Sequence, residues 1–110
     1  MADTGAVWTH ERLRARHAAT GRLYDEVLRV EALSAGIYTL AAGAADAQAP
    51  HREDEVYVVL AGTAAVEIEG NREPVSTGSL VYVPKGVQHR FVDITEDLEV
   101  LVVFAPPETT

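Results

Sequence analysis

Cysteine is absent from this chain of 110 residues. The protein can therefore form neither a disulfide nor a thiolate–metal bond, which leaves histidine and carboxylate side chains as the main candidate metal ligands. Basic residues are also few: nine Lys and Arg stand against seventeen Asp and Glu, and the net charge is −8. This excess of negative charge argues against nucleic acid or an anionic lipid surface as a partner.

Long apolar runs and targeting signals are missing as well. No stretch approaches the ~18 consecutive apolar residues of a transmembrane helix. Residues 1–9 lack the basic region and apolar run that mark a secretory signal. We therefore expect a cytoplasmic protein with no membrane partner. Hydrophobic residues nevertheless make up 47% of the chain, which suffices for one domain with a single core.

One helix is predicted, over residues 9–19. Thr9 can cap its N-terminus and Gly21 can stop it, and the segment between them is rich in the helix formers Ala, Leu and Arg. Its apolar face is thin. We therefore expect the helix to lie on the surface, with Trp8 and Leu13 as anchors.

From residue 22 onward, short β-branched runs alternate with turn-forming residues. Apolar and polar residues alternate within one of these runs, as in a half-buried strand, and Gly62-Thr63 is expected to form a tight connection between two strands. Seven short strands at spacings of about 8–12 residues predict an all-β sandwich or barrel. The predicted strands cover residues 23–30, 36–40, 55–60, 64–69, 80–83, 90–94 and 98–104.

These patterns divide the chain into three parts. A helical segment is expected over residues 1–21, and a β-domain over residues 22–105. Residues 106–110 are expected to form a short exposed tail, since they contain two prolines and follow the last apolar run.

The segment GSLVYVPKGVQHRFVD contains a spaced set of special residues. Gly78 permits a turn before a strand, Pro84 and Gly86 reverse the chain after it, and His89 begins the next strand, where it can point inward. The set matches the second signature of the cupin family, G-x5-P-x-G-x2-H-x3-N, at every position except the last. At that position Asp93 replaces Asn.

A second segment, GAADAQAPHREDEVYVVLAG, resembles the first cupin signature, G-x5-H-x-H-x3-E-x6-G. Gly43, His51, Glu55 and Gly62 have the spacing of that signature. Ala49 stands where its first histidine belongs and cannot bind a metal.

The resemblance to cupins, over residues 36–104, implies a small antiparallel β-barrel (a jelly roll or double-stranded β-helix) with a divalent transition metal in its interior. Typical members bind Mn, Fe, Ni, Cu or Zn through three His and one Glu. In this chain the resemblance implies the ligands His51, Glu55 and His89. Two His and one carboxylate also form a known pattern for non-haem Fe(II). Zn or Mn with water at the remaining positions is an alternative.

Several residues are candidates for supporting roles. The missing ligand has three possible substitutes: Gln48, through its amide oxygen, Glu53 and Asp54. Asp93 has the strand parity of His89 and is a candidate to orient a ligating imidazole. Aromatic side chains are candidates to line a pocket, although in so small a barrel they more often fill the interior. These are Tyr38, Tyr57, Tyr82, Phe91 and Phe104.

Other interpretations of the same residues stay open. His51 and Glu55 also fit a solvated acidic loop, and His89 also fits a core histidine bonded to the backbone. His10 and His17, seven residues apart on the predicted helix, are candidates for a second metal site. Lys85 and Arg90 are candidates for contacts to an anionic ligand at the barrel rim, although a solvated role also fits them.

Three functions follow from the resemblance. The first is a metal-dependent enzyme acting on a small organic molecule, dioxygenase-like or another oxidoreductase, with isomerase or cyclase chemistry also open. The second is a non-catalytic module that binds or senses a small ligand. The third is a barrel that serves only as an interaction surface. The apolar runs VYVVL and LEVLVVFA would leave exposed sheet edges, so we also expect a two-fold homodimer.

Overall fold

The computed structural model describes residues 4–109, which form one helix and six strands. The elements are α1 (His10–Thr20), β1 (Tyr24–Arg29), β2 (Ser34–Leu40), β3 (Asp54–Ile68), β4 (Asn71–Ser76), β5 (Leu80–Val83) and β6 (His89–Ala105). Strand order in the antiparallel sheet is β1-β2-β6-β3-β4, with β5 pairing β3 as well. The predicted all-β class with one short N-terminal helix is therefore confirmed.

The helix α1 is capped as predicted. The Thr9 hydroxyl accepts a hydrogen bond from the Arg12 amide, and Gly21 ends the helix with φ 67°. The two expected apolar anchors of the helix are less buried than predicted. Trp8 is 37% exposed, Leu13 is half-buried, and no residue of α1 is fully buried.

Charged side chains attach α1 to the sheet instead. The buried carboxylate of Glu99 contacts Nε2 of His10 at 2.6 Å and Nε of Arg14 at 3.2 Å. The buried carboxylate of Asp25 contacts Nε of Arg16 at 3.0 Å.

Within residues 4–109, α1 has neither the length nor the apolar composition of a transmembrane helix, and the chain has no other helix there.

Two pairs of predicted strands are continuous strands in the structure. The predicted strands 55–60 and 64–69 merge into β3, which ends one residue earlier, at Ile68, so the expected connection at Gly62-Thr63 is wrong. Residues 90–94 and 98–104 both belong to β6. The register between β3 and β6 shifts at bulges where a turn was expected. A bulge bends a strand without ending its pairing. Gly62, between the two apolar runs of β3, therefore marks a bend in one strand and not a turn between two.

Strand β4 was not predicted. Its sequence, NREPVS, is mostly polar and contains Pro74, and five of its six residues are exposed. It lies at the edge of the sheet and pairs only with β3, as expected for a strand that contains proline.

The curved sheet encloses one apolar core. Tyr57 and Phe91 are among its largest buried side chains, and their rings meet edge to face at 4.9 Å. The other buried members come from both halves of the long strands β3 and β6 and from β2, β4 and β5, so the sheet folds around a single interior. They are Leu40, Val59, Val66, Val75, Val81, Val83, Ile94, Leu98, Val100, Val102 and Phe104.

The C-terminal segment is held against the barrel, although it was expected to be an exposed tail. The Glu108 amide donates a hydrogen bond to the buried Ser34 hydroxyl at 2.9 Å. The Thr109 amide and hydroxyl both donate to Glu53 Oε2, at 3.2 and 2.8 Å. Residues 106 and 109 themselves are exposed.

Candidate metal centre

Three predicted ligands converge in the structure. His51 lies in the loop before β3, Glu55 near the start of β3, and His89 at the start of β6. One ligand atom from each lies within 4.8 Å of the other two. Glu55 faces inward with Tyr57 because they share strand parity, and Glu55 is 2% exposed.

A buried carboxylate oxygen of Glu55 lacks a hydrogen bond. Oε1 of Glu55 lies 3.1 Å from Nε2 of His89 and 3.8 Å from Nε2 of His51. Neither approach has hydrogen-bond geometry, so Oε1 has no hydrogen-bond partner between residues 4 and 109. Burying a carboxylate is costly unless a cation compensates it. The residues at this site therefore fit a bound metal ion.

Gln48 supplies a fourth atom to this cluster. Its Oε1 lies 3.2 Å from Nε2 of His51 and 3.2 Å from Nε2 of His89, and it accepts a hydrogen bond from the Tyr57 hydroxyl at 2.8 Å. Its Nε2 donates to Asp46 Oδ2 at 2.7 Å. Because a carboxylate only accepts hydrogen bonds, this contact fixes which end of the amide faces the histidines.

The His89 ring presents Nε2 to the cluster. Its Nδ1 contacts the Val87 carbonyl at 3.0 Å, and a carbonyl can only accept, so the hydrogen lies on Nδ1. Burial alone would lower the pKa of His89, but Glu55, the Val87 carbonyl and the charge of Asp46 outweigh it and raise the pKa. The surroundings thus favour positive charge here, supplied by a proton or by a metal ion.

Asp46 organises the interior side of the cluster, and it had no place among the predicted site residues. Besides Gln48, it accepts hydrogen bonds from the Tyr38 hydroxyl at 2.7 Å and from the Phe91 amide at 2.8 Å. The available signal was a single acidic residue in a loop whose other residues are Ala, Gly, Gln and Pro, AAGAADAQAP. Phe91, a pocket candidate from the sequence, lies in the core and contributes its backbone here.

Asp93 does not lie behind His89. Its φ is 50°, its side chain is exposed, and it contacts Nη1 of Arg72 at 2.6 Å. The inward parity of β6 changes at this residue, since Phe91 and Ile94 are both buried. The bulge in β6 therefore turns Asp93 outward, and the Val87 carbonyl occupies the position expected for it.

The other substitute ligands lie elsewhere. Glu53 is buried but bonds to Thr109, and the exposed Asp54 accepts a hydrogen bond from the Lys85 amide at 3.0 Å. Of the three candidates from the sequence, the structure brings only Gln48 to the histidines.

The remaining candidates have other contacts. His10 pairs with Glu99, whereas Nε2 of His17 contacts the Leu23 carbonyl at 2.9 Å, so the two histidines do not share a site. Arg90 is an exposed partner of Glu67, Lys85 is exposed, and Tyr82 is 57% exposed.

A cavity of about 150 Å³ adjoins the cluster. Within residues 4–109, no Lys or Arg lines it. Burial, together with nearby carboxylates, raises the pKa of each lining tyrosine, so the phenols remain protonated. The Tyr24 hydroxyl is buried and has no hydrogen-bond partner among residues 4–109. The lining residues are Tyr24, Tyr38, Gln48, His51, Glu55, Tyr57, Val102, Phe104 and Glu108.

Comparison with known proteins places this geometry in a family. The family model described as "Cupin domain" matches residues 36–104. The chain is 48% identical over 99 residues to an uncharacterized protein of Streptomyces coelicolor, covering 90% of this chain and 94% of that protein.

Solved structures share the fold. KdgF from Halomonas sp. superposes with a TM-score of 0.69 at 26% identity, covering 76% of each chain. An RmlC-like cupin with a double-stranded β-helix fold from Methanocaldococcus jannaschii has a TM-score of 0.72 at 18% identity, covering 96% of this chain and 93% of that one.

Proposed function

Since this chain belongs to the cupin family, we propose that it binds one divalent transition metal ion and a small organic molecule beside it. The proposed ligands are His51, Glu55, His89 and Gln48. One observation carries the proposal. Electron-pair donors from all four residues converge, and the Glu55 oxygen among them is buried without a hydrogen bond.

The donor set indicates the class of metal. Two imidazole nitrogens, one carboxylate oxygen and one amide oxygen suit Fe, Mn, Ni, Cu or Zn better than Ca or Mg, which prefer oxygen alone. Such an ion would polarise an oxygen of the bound molecule, or activate water or O₂.

The side chains around the cavity define how the organic molecule binds. Val102 and Phe104 provide an apolar wall that excludes water. The Tyr24 hydroxyl can donate a hydrogen bond to an acceptor on the ligand, because it donates to no protein group in the described chain. The small volume restricts the ligand to a compact molecule.

Catalysis and non-catalytic sensing remain two versions of this proposal. The absence of the first histidine, at Ala49, favours the sensing version because it removes a ligand that is typical of the family. Metal-loaded protein that consumes O₂, or converts a small-molecule panel, supports an oxidoreductase or isomerase. Ligand-dependent stabilisation without turnover supports the sensing version.

Gln48 provides a first prediction. Replacing it by Leu removes one donor atom from the ion, so we expect metal affinity to fall by at least the about 10- to 100-fold typical of losing an outer partner. Titration calorimetry of chelator-treated protein with Zn²⁺ or Mn²⁺ measures this change. The matched control is Gln88→Leu, the same change at an exposed glutamine that precedes His89. Equal affinities of the two variants would exclude Gln48 as a ligand.

We also propose that the protein forms a homodimer. Leu80 and Tyr82 on β5 are 71% and 57% exposed, which leaves apolar surface at this part of the sheet. We expect light scattering at micromolar concentration to give twice the mass of the chain, and the double substitution of both residues by Glu to give a monomer. A monomeric wild-type protein would contradict the proposal.

A cytoplasmic location is proposed on the sequence alone.

A further inference from the structure

The C-terminal segment after β6 is anchored by buried polar groups. Ser34, which accepts the Glu108 amide, is 0% exposed, and Glu53, which accepts both donors of Thr109, is 2% exposed. Glu108 and Thr109 thus have defined positions against the sheet. Polar anchors of this kind distinguish a docked segment from a frayed terminus.

Docking brings the Glu108 side chain to the far side of His51. Oε2 of Glu108 lies 3.6 Å from Nδ1 of His51, while Nε2 of the same ring faces Gln48 and Glu55. The distance is that of a charge contact and is too long for a hydrogen bond. Glu108 therefore lies next to the ring nitrogen that points away from the proposed metal.

The two histidines have related surroundings at Nδ1. His89 meets the Val87 carbonyl there, and His51 meets the Glu108 carboxylate. An acceptor or negative charge beside Nδ1 favours the tautomer with hydrogen on Nδ1, which leaves the lone pair on Nε2 free. Partners of this type orient metal-binding imidazoles and raise their affinity for the ion.

We propose that Glu108 is a positioning residue that holds His51 in its Nδ1–H tautomer and aims Nε2 at the metal. This inference rests on the proposed function, since it assigns Glu108 a role toward the same site. It makes the C-terminal segment part of the metal centre, although this segment lies outside residues 36–104, which match the family.

The test uses the full chain with Glu108→Ala, which removes the acceptor, and Glu108→Gln, which keeps an oxygen but no charge. Long-range ¹H–¹⁵N NMR of the metal-free protein reports the His51 tautomer directly. Calorimetry with Zn²⁺ reports affinity. The control is Glu31→Ala, an exposed carboxylate in the β1–β2 connection. Thermal melting shows whether each variant is folded.

We expect Glu108→Ala to lose the Nδ1–H preference of His51 and to bind Zn²⁺ about 10- to 100-fold more weakly, with Glu108→Gln in between. An unchanged tautomer in Glu108→Ala overturns the inference, even if affinity falls through loss of charge alone. If the wild-type protein binds no metal, the proposed function fails, and the tautomer still decides the role of Glu108.

Discussion

Glu55→Gln is expected to weaken binding of a divalent transition metal by more than the about 10- to 100-fold typical of losing an outer partner. The substitution keeps the size of the side chain and removes the negative charge that lies 3.1 Å from Nε2 of His89. The amide that replaces the carboxylate presents an NH₂ group or a weaker donor oxygen to the ion. Calorimetric titration with Zn²⁺ or Mn²⁺ measures the loss.

The matched control for this prediction is Glu67→Gln. Glu67 lies on the same strand, β3, but contacts the exposed residues Arg72 and Arg90. The Glu67→Gln variant should bind metal with the affinity of the wild-type protein. It loses the same charge without losing a proposed ligand, so it distinguishes the two causes of weaker binding. A Glu55→Gln variant with wild-type affinity would remove Glu55 from the metal centre.

Gly62→Ala has the largest expected effect on stability. Gly62 has φ +96°, where L side chains are strained, and an added Cβ would overlap the Asp97 carbonyl oxygen on β6. Strain and overpacking each cost about 1–3 kcal/mol. We expect the free energy of unfolding in urea to fall by about 3 kcal/mol or more.

Gly70→Ala separates the two causes. Gly70 also has positive φ, +82°, but a Cβ there would meet nothing within 4 Å. Its expected loss is about 1–2 kcal/mol, from backbone strain alone. Equal losses at Gly62 and Gly70 would show that the close approach between β3 and β6 has no role in stability.

Gly62 also shows why the strand pattern was only partly predictable. A glycine between two apolar runs has the same sequence signature whether the chain turns back or bends at a bulge, and only pairing with β6 distinguishes them. Asp93 presents the same difficulty, because strand parity predicts an inward side chain and the bulge in β6 turns it outward. Local patterns thus located every strand except β4 but missed where two of them continue.

The candidate site was predictable to the extent that its residues lie in spaced motifs. His51, Glu55 and His89 follow fixed spacings, and the structure brings them together. Gln48 was one of three open alternatives, because the path of the preceding loop decides which side chain enters the cluster. Glu108 lies 57 residues after His51 by position, and no local pattern connects residues so distant.

Anomalous diffraction from crystals grown with Zn²⁺ or Mn²⁺, recorded at the absorption edge of the ion, tests the metal centre most directly. We expect one strong peak in the barrel, from an ion at about 2.0–2.3 Å from Nε2 of His51 and His89 and from side-chain oxygens of Glu55 and Gln48. A map with no peak there, or with the ion bound only at another pair such as His10 and Glu99, would contradict this expectation.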